Sequence, residues 1–164
     1  MRLHLEHRID APLDAVERAS VDPRFEERLS QLPNVAERTV TSREERPDGT
    51  IHRVVRYRFS GPIPAPVVQA IGGSIIGWDE IGDFDPANHE WHFEIRPYVL
   101  KGRITCNGRY AFEPDGDATR RTVDVDVKVR VPLVGGRVEK VIADGLRDNM
   151  NAEAELLASF VHRT

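Results

Sequence analysis

Histidines, one cysteine and a few charged residues set among apolar runs are the groups through which this chain could do chemistry. His4 and His7, and again His89 and His92, stand three residues apart in segments where apolar and polar residues alternate. Alternation is the period of a β-strand, which sends residues three apart to opposite faces, so neither pair can chelate one ion and no metal site is expected. His7 shares a parity with Leu3, Leu5 and Ile9, which turns it inward, either hydrogen-bonded in the core or offering a polar group to a cavity. Arg53 shares a parity with Ile51, Val55, Tyr57 and Phe59. A guanidinium on that face needs an anion. Glu153 is the expected partner, with Glu80 or Asp79 behind it; the alternative is a ligand carboxylate or phosphate gripped in bidentate fashion. A bulge in the strand would instead turn Arg53 to solvent.

Tyr57, Trp78, Trp91, Phe93, Tyr110 and Phe112 fall on the inward parity of four strands. Core packing accounts for most such residues, yet aromatics mixed with His7, Arg53, Asn149 and Glu153 suit a small-molecule pocket, and Tyr and Trp need polar partners that a dry core lacks. Nucleophilic catalysis finds no support: Cys106 shares a face with Ile104, Gly108 and Tyr110 and reads as a small buried hydrophobe, and there is no Gly-x-Ser-x-Gly elbow. The glycines at 72, 73 and 77 do not form Gly-x-Gly-x-x-Gly, and no cofactor is expected. Gly135 and Gly136 open a helix whose free amides could hold an anion with Arg137, but a strand-to-helix corner explains them equally well.

The elements that position these residues follow from periodicity. A strand near the N-terminus is followed by two short helices, Pro12 to Ala19 behind Asp10 as N-cap and Pro23 to Leu32, each with proline near its first turn. From Val35 the period returns to two, with turn signals at Pro47-Asp-Gly49, Asp85-Pro-Ala-Asn88 and Glu113-Pro-Asp-Gly-Asp117. They separate strands 35–45, 50–60, 75–84, 89–96, 100–112 and 119–131. The last is the clearest, with Val123, Val125, Val127, Val129 and Val131 on one face and Asp124, Asp126, Lys128 and Arg130 on the other. A helix from Arg137 to His162 carries an apolar stripe at spacings of three and four that must lie on the sheet. Midway along it Gly145, Asn149 and Ala152 interrupt the apolar bulk, predicting a cavity of a few hundred Å³ against the sheet. Gly61 to Gly72, rich in proline and apolar residues, reads as a short helix that packs on the sheet edge, or else as a segment that covers the pocket mouth or meets a membrane or a partner chain. Its lack of Lys and Arg argues against an anionic membrane surface.

The 164 residues point to one domain, 1–164. With 23 Lys plus Arg against 27 Asp plus Glu, the net charge of −4 gives no basic field for nucleic acid. A single cysteine excludes an internal disulfide, and neither a signal-peptide core nor a membrane-length apolar run is present, so a cytoplasmic location without stable membrane insertion is expected.

The order of elements, opened by Leu-x-Leu-x-His-x-Ile-x-Ala-Pro from Leu3 to Pro12, resembles the START-like superfamily, with its birch-pollen-allergen-like, polyketide cyclase and lipid-transport groups. Val131-Pro-Leu-Val-Gly-Gly-Arg-Val-Glu-Lys140 and Asn151-Ala-Glu-Ala-Glu-Leu156 look like an actinobacterial branch of that superfamily with no assigned function. The resemblance implies an α+β helix-grip fold, a curved seven-stranded antiparallel sheet wrapped around the long helix with an apolar ligand often held between them. It carries over no catalytic residue. The expected function is binding of a small apolar or amphipathic, lipid-like ligand through His7, Arg53, Tyr57, Trp78, Trp91, Tyr110, Asn149 and Glu153. The rivals are a cyclase, dehydratase or hydrolase using His7 or Glu153 on a ketide-like substrate, and a protein-interaction module with a filled interior. Oligomeric state is open at this level.

Overall fold

The computed structural model describes residues 1–73 and 75–163. Its elements in chain order are β1 (Arg2–Ile9), α1 (Leu13–Ser20), α2 (Pro23–Arg28), β2 (Val35–Glu45), β3 (Ile51–Phe59), α3 (Ala65–Ala70), β4 (Gly77–Asp85), β5 (Glu90–Pro97), β6 (Ile104–Asp115), β7 (Ala118–Val129) and α4 (Gly135–Arg163). One antiparallel sheet carries the strands in the order β1-β7-β6-β5-β4-β3-β2, a meander closed by β1 returning beside β7. The order of elements is the one the periodicity predicts, and the arrangement is the helix-grip fold that the resemblance implies.

Local chemistry adjusts the predicted boundaries. Asp10 does not cap α1; Pro12 occupies that position without a side-chain bond. Asp22 does cap α2, accepting a hydrogen bond from the Arg24 backbone N–H at 2.8 Å. The expected helix to Leu32 stops at Arg28 and continues as a single 3₁₀ turn, Leu29–Gln31.

The valine face of β7 is buried along its length, and across the space α4 buries Val138, Ala143, Met150, Ala154, Leu157 and Phe160. Gly108 is needed on β6 because a Cβ there would lie 2.5 Å from the Phe93 ring and 2.7 Å from the Asp124 carbonyl. Near its C-terminus α4 meets the short helices, with the Phe25 and Phe160 rings 5.6 Å apart. No helix among the described residues is long and apolar enough to cross a membrane.

Because α4 is one whole wall of the core, Leu157→Ala is expected to cost about 2–5 kcal/mol of unfolding free energy. Urea denaturation checks this, and a loss under about 1 kcal/mol would mean that the helix merely covers a finished sheet.

Candidate ligand-binding site

The interior beneath α4 has a charged end and an apolar end. The charged end is built on β2 and β3. Between Val40 and Ser42 the β2–β3 register slips by one residue, so Arg38 pairs opposite Tyr57 while Arg43 pairs opposite Arg53. Strict alternation would put Arg38 and Arg43 on opposite faces; the bulge turns both inward. No such slip interrupts β3–β4, and Arg53 stays inside, 7% exposed, its guanidinium 4.5 Å above the Trp91 ring.

The anion for Arg53 is Glu26 of α2, with Glu80 of β4 at 3.5 Å. Arg43 also reaches Glu26, at 3.2 Å, and bonds the Val21 carbonyl at 2.7 Å. Arg38 donates to the Tyr57 hydroxyl at 3.0 Å and to the Glu26 carbonyl at 3.1 Å. Burial opposes the charge of Arg53, but Glu26 and Glu80 outweigh it and hold the guanidinium protonated. Burial also raises the Glu80 carboxyl above its usual range, with Arg53 and Arg38 pulling the other way. The Tyr57 hydroxyl is likewise pushed up by burial.

Glu153, the partner expected for Arg53, serves a different arginine. Arg121, 1% exposed on β7, lies 3.1 Å from Glu153, donates to the Met150 carbonyl at 3.1 Å and stands 4.5 Å over the Tyr110 ring. His7 sits beside it. In its Nε2–H tautomer the ring donates to Asn151 Oδ1 at 2.8 Å, and Nδ1 accepts from Arg121 at 3.5 Å. Burial lowers the His7 pKa, which keeps the ring neutral in this role.

The apolar end is a cavity of about 90 Å³, partly open, between the first half of α4, the sheet and α3. Val67 and Ile71 close one side, Val99 and Leu100 another, and Ile142, Gly145 and Asn149 form the roof. It is smaller than the few hundred Å³ expected. The midpoint of α4 explains the difference: a Cβ on Gly145 would meet the Phe59 ring at 3.5 Å, so the volume freed by the glycine is taken up largely by Phe59. Cys106 lines the cavity, with its thiol pushed up to about 12 by burial, and is inert there.

Of the eight residues expected to form one site, only Trp78 and Asn149 line this cavity. Tyr57 backs it, stacked on Trp78 at 5.2 Å and 12°. Arg53 and Trp91 belong to the charged end, and His7, Tyr110 and Glu153 surround Arg121. The cavity's polarity therefore does not come from Arg53 and His7, whose polar groups are engaged elsewhere. Sequence reading missed Glu26, on a helix that gave no inward signal, and Arg121, although Arg121 continues the parity of Val123 and Val125.

The lining has two unsatisfied atoms. Trp78 Nε1 and Asn149 Oδ1 are buried and have no hydrogen-bond partner among the described residues. Among the described residues the remaining buried atoms of this kind belong to Arg38, Arg43, Arg53 and Arg121, each of which has at least one other guanidinium nitrogen hydrogen-bonded.

The sequence matches the family described as "Protein of unknown function (DUF2505)" over residues 4–161. No curated protein matches it. Among solved structures the chain is similar to TTHA0849 from Thermus thermophilus, with a TM-score of 0.70 at 20% identity over 99% of this chain and 98% of that one. It is similar to the Zhui aromatase/cyclase from Streptomyces sp. R1128, with a TM-score of 0.66 at 17% identity over 99% and 95% of the two chains. A START superfamily protein from Mycobacterium smegmatis gives 0.60 at 18% identity over 99% and 97%. These likenesses establish the START-like helix-grip fold.

Removing one member of a buried ion-pair cluster strands the other. Arg53→Met is expected to lower stability by roughly 3–5 kcal/mol by denaturant titration, since Glu80 loses its ion-pair partner. Glu80 also writes a signature on pH dependence. Its folded carboxyl binds a proton more tightly than the unfolded chain's at 4.5, so its contribution is full below 4.5 and is lost as pH rises through the raised folded value. The depressed carboxyls, such as Asp22 and Asp144, act in the opposite sense and only as pH falls below 3.8. His7 titrates below 6.5 with the opposite slope, so the readout is the difference between wild type and Glu80→Gln. Stability of the wild type should fall relative to Glu80→Gln as pH rises above 4.5; parallel curves would refute the raised carboxyl.

Proposed function

The chain belongs to the DUF2505 family, which its residues 4–161 match, and from that membership and the START-like fold we propose that it binds a small, neutral, largely apolar ligand carrying one hydrogen-bonding group. The observation that carries this reading is the pair of unsatisfied atoms, Trp78 Nε1 and Asn149 Oδ1, on residues of an otherwise apolar cavity wall. Each buried polar atom left without a partner costs about 1–3 kcal/mol. A ligand hydroxyl within reach of Trp78 Nε1 would accept from it, and one within reach of Asn149 Oδ1 would donate to it, each recovering part of that cost.

Charge supports a neutral ligand. No Lys or Arg lines the cavity, and Arg53 is neutralised by Glu26 and Glu80. A ligand of roughly 300 Å³ or more needs the wall to move. The part suited to move is α3, a six-residue helix that packs only lightly on other elements.

An enzymatic reading has one observation behind it, the raised carboxyl of Glu80, a property of general acids. Glu80 is tied to Arg53 and does not line the cavity, so binding is the better supported reading.

Decanol, decane and decanoate, equal in chain length, discriminate the ligand class through tryptophan fluorescence and native mass spectrometry. Decanol is expected to bind about tenfold or more tighter than the other two, corresponding to one recovered hydrogen bond. Asn149→Leu should reduce decanol to the level of decane, and Gly145→Leu, which fills the roof, should abolish all three. Tightest binding by decanoate would refute the neutral ligand, and no retention of any of them would refute binding in this cavity.

A further inference from the structure

The loops around the cavity mouth have a composition that the fold does not require. Antiparallel register places the α3 segment (60–73 and 75–76), the β5–β6 connection (98–103) and the β7–α4 connection (130–134) at the same end of the sheet; the first two contribute Val67, Ile71, Ile76, Val99 and Leu100 to the cavity lining, and the third leads into the start of α4, whose Val138 lines it. They contain no acidic residue. Five cations at this end, Lys101, Arg103, Lys128, Arg130 and Arg137, are exposed and have no carboxylate partner among the described residues. Most other Lys and Arg of the chain are in ion pairs, including Arg56, Arg96 and Arg109 on the outer face of the sheet. Acids close to this end are engaged: Asp79 by Tyr98 and Arg56, Glu139 by the Val129 N–H and the Met1 amino group, and Asp126, which borders one groove with Lys128 and Arg130, by Arg2. A chain of net charge −4 therefore presents a locally cationic end.

Between the cations stand exposed apolar side chains. Leu133 is fully exposed, Ile75 is 67% exposed, and Val68 and Tyr98 are exposed in part. Leu133 is held out on a tight turn: the Val134 N–H bonds the Pro132 carbonyl at 2.8 Å and Leu133 has φ 69°, a γ-turn that L residues rarely adopt. The next bond, from the Gly135 N–H to the Val131 carbonyl at 3.0 Å, fastens the base of the loop. A bulky apolar residue in an unfavourable backbone conformation, wholly in water, gains nothing for the folded monomer. Exposed apolar side chains at the same end as cations that lack carboxylate partners among the described residues are complementary to a surface that is negative outside and apolar beneath.

We propose that the cavity mouth docks on an anionic lipid bilayer surface, with Leu133 and Ile75 entering the headgroup region and Lys101, Arg103 and Arg137 facing anionic lipid. The absence of cations in the α3 segment alone does not count against this, because the fold supplies them from the neighbouring loops. The docking is independent of what occupies the cavity.

Flotation with vesicles of phosphatidylcholine alone and of phosphatidylcholine mixed with phosphatidylglycerol tests it. The full chain is expected to float with the mixed vesicles and not with the neutral ones, and to be released by added salt. Lys101→Gln, Arg103→Gln and Arg137→Gln should each weaken binding about fivefold, and Leu133→Ser about tenfold or more. All four should leave the thermal midpoint near that of wild type. In Leu133→Trp the added indole emission should shift to the blue on mixed vesicles only. The cavity-filled variant Gly145→Leu should float like wild type, which separates this proposal from the ligand reading. Absent flotation, equal flotation on both vesicle types, or an unshifted Leu133→Trp emission would each overturn it. So would preferential binding to polyglutamate or DNA, or a stable dimer that Leu133→Ser dissolves, since each assigns the patch to another partner.

Discussion

The carboxylate of Glu26, buried under two arginines that reach it from adjacent strands, fixes the rest of the interior. A buried charge is tolerable only when paired and hydrogen-bonded, so Arg53 and Arg43 can be inside only if α2 delivers Glu26 to the concave face of the sheet. The requirement is reciprocal. Arg38 bonds the Glu26 carbonyl and Arg43 the Val21 carbonyl, so β2 holds the backbone of the short helices as well as one side chain. The placement of α1 and α2 is thus specified by polar geometry as much as by the packing of Phe25 against Phe160.

With the charges gathered there, the space beneath α4 divides in two. Around Glu26, Arg53, Glu80 and Tyr57 a chain of hydrogen bonds and ion pairs stiffens one end, because each group polarises and orients the next. Arg121 extends this order to α4 through Met150 and Glu153. Toward the start of α4 the cavity walls are mostly apolar side chains, Ile, Val and Leu among them, with a six-residue helix on the outside, and the tie made there by Glu139 to Met1 and the Val129 N–H involves no lining residue. Apolar contacts are non-directional, so a wall made of them can be displaced and reformed at less cost than a wall of paired charges. Paired charges and apolar contacts are therefore segregated to opposite ends of the interior beneath α4.

The outer surface repeats the division in sign. On the convex face of the sheet, charges of opposite sign stand across from one another, as in Arg58 with Glu37 and Arg109 with Asp124, each worth little alone and together leaving a well-solvated face. At the mouth the cations lack such partners and the apolar side chains lack cover. The stretch from Val131 to Lys140 is distinctive in the sequence but carries no chemistry of its own there; in the fold it forms the turn that presents Leu133 and the start of the helix that roofs the cavity.

Periodicity determined the class of fold. The alternating valines of β7 and the three-and-four spacing of α4 report which faces are dry, and dry faces on a strand and on a long helix have few ways to cover each other. The inward parity of Arg53 and His7 was legible for the same reason. Their partners were not. The bulge after Val40 reverses the alternation of β2 and hides that Arg38 and Arg43 share a face, while Glu26, Glu153 and Asn151 lie on other elements at long separations. Gly145 indicated space but not that Phe59 fills most of it. Local sterics and hydrophobic contrast act over a few residues and leave a trace in the sequence. Ion pairs, cavity volume and the gathering of Lys101, Arg103, Arg130 and Arg137 at one end depend on which elements meet across space, and only the assembled sheet with its helix decides that.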